Sequence, residues 1–510
     1  MNIVPAITLH RMLKTAVHGA RSREPWAAPV AQLTPVFTGT FKPVAVLKSA
    51  PMNTARPKTE LLSPAGTIKN MRYAFAYGAD AVYAGQPRYS LRVRNNDFKD
   101  KNLEIGINEA HRLGKKFFLT SNLMPHNNKV RSYIDDLTPV IELGPDALIM
   151  ADPGLIMMVK DKWPEMPIHL SVQANTVNFA TVKFWQRQGV DRIILSRELS
   201  LDEVAEIRQE CPDIELEVFV HGALCIAYSG RCLLSGYFNH RDPNQGTCTN
   251  SCRWDYKTVE AEETAEGVYK PTDKVAGEQI NVAAPAKIPT STSEMGNGTR
   301  HALADKVYML EEKNRPGEHT TITEDEHGTY IMNSKDLRAV EHVGRLIEIG
   351  VDCLKIEGRT KSHYYVSRVT QSYRQAIDAA ERGEAFNPAL LGDLENLANR
   401  GYTDGFFERH HTQDYQNYVD SHSKSRQQSF VGEILSYDKA SGIAEIDVKN
   451  KFSVGDKLQL VTPSGNQDIL VENMEDNYGK AIQSALGSGY FVKLRLPESA
   501  TEQSLLARYI

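Results

Sequence analysis

Four cysteines, Cys225, Cys232, Cys248 and Cys252, stand in a C-x6-C-x15-C-x3-C pattern. Zinc ribbons favour a tight knuckle at each end, because each knuckle bends around one tetrahedral ion. Here only Cys248-Thr-Asn-Ser-Cys252 is tight. A cubane cluster offers irons at separate corners, so its thiolates need not pair so closely. Gly222, Gly230, Gly236 and Gly246 surround the four and let backbone N–H groups approach cluster sulfurs. The pattern points to an iron–sulfur cluster; a structural zinc or unlinked thiols are the alternatives. Cys211 and Cys353 stand apart and read as small core residues.

A second set of groups suits anions. Arg88, Arg92 and Arg94 follow one apolar run, and Lys355, Arg359 and Lys361 flank another. Guanidinium forks and ammonium groups bind carboxylates or phosphates, although a solvated basic surface looks the same in sequence. His221 lies four residues before Cys225 and is either a proton-transfer group or a polar strand end. Glu357 is placed to orient Arg359, or to form an ordinary buried ion pair with it. Gln173 and Asn175 alternate on an expected strand, so they share a face and either face the site or cap the next helix. Tyr228, between the first two cysteines, suits base stacking or plain packing.

These groups need elements that bring them together. Short apolar runs begin at Glu60, Ala81, Phe117, Ala147, Ile168, Arg192 and Leu216, separated by turns and amphipathic stretches. Tyr330-Ile-Met-Asn and Cys353-Leu-Lys-Ile are two later candidates. Near-continuous apolar strands fit a parallel sheet buried on both faces. The supply of strands fits a closed TIM-like (β/α)8 barrel, and no G-x-G-x-x-G follows the first strand to favour an open dinucleotide-binding sheet. Active groups of such barrels gather at the C-terminal ends of the strands, where Cys225 follows one run.

The chain divides accordingly. Residues 56–256 give the first part of the barrel, 257–320 a polar, flexible insert without period, and 321–420 the remaining barrel and helices. Residues 428–510 carry short alternating strands and read as a small β-barrel domain. Residues 1–55 lack a sustained period and are basic and acid-poor, resembling a transit segment. An early start assignment is the alternative, since Met52 immediately precedes the patterned chain.

Charge and composition narrow the class. Apolar residues make up 41% and charged residues 24%, ordinary for a water-soluble globular chain. No apolar run is long enough to span a bilayer, and six cysteines in 510 residues are too few for a secreted disulfide scaffold. A cytoplasmic protein is expected. Without residues 1–59 the chain keeps 51 basic and 63 acidic side chains, a net −12, so a nucleic-acid partner needs a local basic patch.

The stretch Glu217-Val-Phe-Val-His-Gly-Ala-Leu-Cys-Ile-Ala-Tyr-Ser-Gly-Arg-Cys-Leu-Leu-Ser235 resembles the signature of the collagenase-like peptidases of unassigned mechanism. Tyr83-Ala-Gly-Gln-Pro-Arg-Tyr-Ser, Ser171-Val-Gln-Ala-Asn, Asp242-Pro-Asn-Gln-Gly-Thr-Cys, Leu354-Lys-Ile-Glu-Gly-Arg-Thr-Lys and Val448-Lys-Asn-Lys-Phe-Ser-Val-Gly-Asp resemble that family's prephenate-dependent tRNA uridine 5-hydroxylases. The resemblance implies a 4Fe-4S cluster on the four cysteines. It also implies hydroxylation of carbon 5 of the wobble uridine of tRNA, with prephenate as hydroxyl donor and cluster-assembly proteins as further partners. On this reading His221, Glu357 and Arg359 are catalytic candidates. Arg88, Arg92, Arg94, Gln173, Asn175, Lys355 and Lys361 are candidates for holding prephenate or tRNA. The alternative is a peptidase, but H-E-x-x-H and G-x-S-x-G are both absent, and nothing places a base beside Ser235.

Overall fold

The computed structural model describes residues 58–85, 88–90, 97–224, 335–397, 399, 401–408 and 428–510, together with the strand backbones at 256–263, 269–275, 307–312, 319–325 and 328–330. Strands and helices alternate from the start of this range. The strands are β1 (Glu60–Pro64), β2 (Ala81–Gly85), β3 (Lys116–Ser121), β4 (Ala147–Met150), β5 (Ile168–Leu170), β6 (Arg192–Ile194) and β7 (Glu215–Ala223). Between them lie α1 (Ile68–Ala76), α2 (Asp100–Arg112), α3 (Asn127–Val130), α4 (Tyr133–Ile141), α5 (Pro153–Lys162), α6 (Phe179–Arg187) and α7 (Leu201–Glu210). Local sequence sets the helix starts. The Thr67, Asp152, Asn178 and Ser200 side chains each accept a hydrogen bond from an N–H of the first turn. Ser200 and Glu203 cap each other reciprocally.

Each of the seven strands pairs parallel with the next. The chain then leaves the ring to build an antiparallel sheet from β8 (Tyr256–Glu263), β9 (Tyr269–Val275), β10 (Val307–Glu312), β11 (His319–Asp325) and β12 (Gly328–Tyr330). It returns in β13 (Asp336–Arg338), antiparallel to the end of β7, and in β14 (Cys353–Ile356). β14 lies parallel to both β7 and β1 and closes an eight-stranded ring. The (β/α)8 barrel expected from the sequence is therefore present.

Two details differ from expectation. Tyr330 belongs to β12, opposite Thr323, and takes no place in the ring. So short a run has no period that identifies its partner, and Tyr330 pairs with a neighbouring antiparallel strand. The aperiodic stretch beyond residue 256 carries a paired sheet, because backbone pairing does not require an apolar run.

Three more helices follow: α8 (Val343–Ile349), α9 (His363–Glu381) and α10 (Ala389–Glu395). β15 (Tyr402–Thr403) pairs with β13. The C-terminal domain contains β16 (Gln428–Asp438), β17 (Ile443–Val448), β18 (Asn450–Ser453), β19 (Lys457–Thr462), β20 (Gly465–Leu470), β21 (Glu475–Asp476), β22 (Ser484–Gly487), β23 (Phe491–Arg495) and β24 (Leu505–Tyr509). Seven of these form one antiparallel sheet, and β18 with β22 forms a ribbon, around a core including Ile434, Ile446, Phe452, Leu460 and Val492. The domain docks on α1 and α9. Tyr77 Oη donates to the carbonyls of Val461 and Gln503, and Gln371 Nε2 donates to that of Thr462. Among the described residues no helix is long and apolar enough to cross a membrane.

Candidate active site at the barrel mouth

Side chains alternate between the lumen and the helical layer along each barrel strand. At the N-terminal ends the lumen holds charge. Arg192 Nη1 lies 2.6 Å from Glu60 Oε1 and 3.4 Å from Glu217 Oε2. Lys116 reaches Glu60 at 2.9 Å, and Lys355 reaches Glu217 at 2.7 Å. Burial alone would raise the Glu60 carboxyl, but Arg192 and Lys116 outweigh it and hold the group below its ordinary pKa. His169 stands among these cations, and burial with their charge keeps it neutral. The Cys353 thiol is pushed well up, first by burial and then by Glu217, so it is no nucleophile.

One layer nearer the C-terminal ends, Lys355 Nζ lies 4.5 Å from the Tyr83 ring centroid and 5.3 Å from that of Phe219. Tyr83 Oη sits 3.1 Å from Glu357 Oε2 and 3.0 Å from the Ile356 carbonyl. Arg359 is buried and donates to Ser90 Oγ at 2.7 Å. Its guanidinium lies over Gly85, where an added Cβ would come within 2.2 Å of Nη1. The glycine ending β2 is thus what lets Arg359 cross the mouth. Lys355, Glu357 and Arg359, singled out from sequence, do converge with Tyr83.

The other expected residues are placed differently. His221 lies beneath α9, with the rings of Tyr365, Tyr373 and Tyr402 within 5.9 Å. Burial, then Arg338 and Lys361, lowers its pKa to about 3, which leaves it a weak base near neutrality. Lys361 packs over the Tyr365 ring at 5.2 Å. Arg88 pairs with Asp136 at 2.6 Å on the outer surface. Gln173 and Asn175 do not alternate on a strand: β5 ends at Leu170, and a 3-10 turn, Val172–Ala174, follows. Asn175 closes that turn at φ +52°, a left-handed conformation that asparagine tolerates, and pairs with Ser196 at 3.1 Å. Gln173 Nε2 and Thr120 Oγ1 are buried without a hydrogen-bond partner among the described residues. Arg92, Arg94, Tyr228, Ser235 and the four clustered cysteines lie outside the described residues. Among the described residues no group of three or more His, Cys, Asp and Glu is placed to hold a metal.

Sequence reading missed Arg197, three residues past the end of β6. Its guanidinium stacks 3.9 Å from the Phe219 ring centroid, and Nη1 donates to the Ala223 carbonyl at the end of β7. A lone arginine in Leu-Ser-Arg-Glu-Leu carries no motif; its position after an apolar run was the available signal.

Family models match nearly all of the patterned chain: peptidase family U32 over residues 66–417 and the peptidase family U32 C-terminal domain over residues 426–508. The chain is 60% identical over 441 residues to the tRNA hydroxylation protein P of Escherichia coli, covering 86% of this chain and 94% of that protein. It is 57% identical over 445 residues to the tRNA hydroxylation protein P of Haemophilus influenzae, covering 87% and 95%. It is 30% identical over 365 residues to the 23S rRNA 5-hydroxycytidine C2501 synthase of Escherichia coli, covering 70% of this chain and 46% of that protein.

Proposed function

The chain belongs to peptidase family U32, and we propose that within it the protein is a tRNA-modifying enzyme that hydroxylates carbon 5 of the wobble uridine. Prephenate is the hydroxyl donor, and Cys225, Cys232, Cys248 and Cys252 hold a 4Fe-4S cluster. The observation that carries this reading is the 60% identity, over 94% of its length, to a protein named for tRNA hydroxylation. The relative named for 5-hydroxycytidine supports chemistry at a pyrimidine base.

The donor set suits the cluster, since four cysteines follow a strand that ends at Ala223, two residues before Cys225. When bound, such a cluster supplies one-electron chemistry or an iron that polarises an oxygen ligand. This chain's own residues supply the surroundings. Arg359 puts positive charge at the mouth for an anionic co-substrate. Tyr83 and Glu357 can hold or pass a proton at the phenol oxygen. The unused amide donor of Gln173 suits a pyrimidine carbonyl.

The peptidase alternative draws its support from the family's description. Both described cysteines, Cys211 and Cys353, are buried with raised thiol pKa values, and His221 stays neutral beneath α9.

The test is nucleoside mass spectrometry of tRNA from a deletion strain carrying the wild-type or Cys225→Ala gene. Wild type should restore 5-hydroxyuridine in a prephenate-dependent manner. Cys225→Ala should restore none and should purify anaerobically without stoichiometric iron and sulfide. Unchanged 5-hydroxyuridine in the deletion strain would overturn the reading.

A further inference from the structure

Arg197 differs from the other cations at the mouth in what its guanidinium leaves unused. Lys355 is committed to Glu217, and Arg359 donates to Ser90. Among the described residues Arg197 has no carboxylate partner, although Glu198 is its neighbour in sequence; the Glu198 side chain is taken up by Ser196. Two contacts fix the guanidinium plane of Arg197: the stack on Phe219 at 3.9 Å and the bond from Nη1 to the Ala223 carbonyl. With Nη1 occupied, the remaining edge is the one formed by Nε and Nη2. Nε is buried and has no hydrogen-bond partner among the described residues. A buried guanidinium nitrogen left unpaired costs free energy, and an acceptor placed on the Nε–Nη2 edge would recover that cost.

We infer that Arg197 is a substrate-binding residue whose Nε–Nη2 edge takes a carboxylate of the small co-substrate in a side-on, two-bond contact. This inference rests on the proposed prephenate-dependent reaction and assigns one end of that molecule. A planar carboxylate matches the spacing of the two N–H groups. An RNA phosphodiester fits less well, because it carries a ribose on each side of the phosphate. Phe219, an inward residue of β7, holds both cations in reach of one ring, with Arg197 at 3.9 Å and Lys355 Nζ at 5.3 Å. Lysine in place of Arg197 keeps the charge and loses the fork.

The test uses the full-length holoenzyme purified anaerobically, with wild type, Arg197→Lys and Arg197→Met compared at equal iron content. Prephenate KM is measured at saturating tRNA, and tRNA KM at saturating prephenate. Loss of a charged two-bond contact should raise prephenate KM roughly 10- to 100-fold in Arg197→Met, with Arg197→Lys intermediate and tRNA KM within about twofold of wild type. Calorimetric titration of prephenate into each protein gives the same order without turnover, and Arg197→Lys keeps an alkyl stem over Phe219 should the methionine variant misfold. An unchanged prephenate KM in either variant overturns the assignment, and so does a rise confined to tRNA KM, which would make the fork a phosphate contact. Absence of prephenate-dependent turnover in wild type, with measurable prephenate binding that weakens in the variants, would instead overturn the reaction and leave the site.

Discussion

The barrel handles charge in opposite ways at its two ends. At the N-terminal ends of the strands, Glu60, Arg192, Glu217 and Lys355 are all buried and linked in one series of ion pairs. At the C-terminal ends, donors such as Gln173 Nε2, Thr120 Oγ1 and Arg197 Nε are buried and unpaired among the described residues. Both arrangements cost desolvation; the ion pairs of the first recover it within the protein, although His169 Nδ1 beside them has no partner among the described residues. The floor is therefore built for the fold and the mouth for something that arrives, which matches the division of labour between the two faces of such barrels.

The sharpest way to break this contrast is to remove a charge from each end. Arg192→Met leaves Glu60 with Lys116 alone and Glu217 with Lys355 alone. Stripping one partner from a buried ion network costs about 3–5 kcal/mol, because the remaining charge is stranded in a low-dielectric site. Urea unfolding of the full chain should show that loss. Arg197, whose guanidinium has no carboxylate partner among the described residues, should on replacement by methionine shift stability by less than about 1 kcal/mol. Equal losses for the two variants would remove the distinction between floor and mouth.

The same contrast explains what the sequence could reveal. Apolar runs buried on both faces announced all eight ring strands, Cys353–Ile356 among them, because parallel strands under helices need such runs. The Tyr330 run was misassigned to the ring because so short a run specifies no partner. Glu357 and Arg359 were legible because they follow a strand end, where barrel chemistry gathers, and Lys355 because it stands in that same short strand. The floor was not legible. Glu60, Lys116 and Arg192 stand at the first positions of strands far apart in sequence, and only ring closure makes them neighbours. Arg197 was missed because its meaning comes from a ring on the next strand. The Gln173–Asn175 alternation failed because a strand of three residues ends before it.

A second buried charge tests whether paired networks serve the fold elsewhere. Glu433 of β16 joins the C-terminal domain to the barrel through Lys69 at 2.5 Å, His363 at 3.4 Å and Tyr73 Oη at 3.0 Å. Burial pulls its pKa up, but the bonds from His363 and Lys69 outweigh this and hold the carboxyl at about 2, against an ordinary 4.5. Above about pH 5 the group is charged in both folded and unfolded chains, and its stabilisation is complete. As pH falls through 4.5 the unfolded chain protonates first, so stability drains until the folded carboxyl itself protonates near 2. Between those values the stabilisation lost amounts to at most roughly 3 kcal/mol. Glu433→Gln should flatten the stability–pH profile across this window, measured by urea unfolding at a series of pH values. An unchanged slope would mean that the domains are held without the ionic cluster.

The smallest expected effect marks the outer limit of the mouth. Arg88 was singled out as an anion-binding residue, yet it is half exposed and already paired with Asp136. Asp136 is held below the ordinary carboxylate range first by the Tyr89 hydroxyl, then by Ser132 and Arg88, so it retains a partner when Arg88 is removed. An exposed pair of this kind contributes about 0–1 kcal/mol and is screened by salt. Arg88→Ala should therefore change stability by less than about 1 kcal/mol and leave prephenate KM within about twofold of wild type. Measured beside Arg197→Met in the same assay, this variant separates a charge with its own carboxylate from one without. A prephenate KM raised as far by Arg88→Ala as by Arg197→Met would show that pairing in the free protein does not tell which cations serve the substrate, and the boundary between floor, rim and mouth would have to be redrawn from binding data.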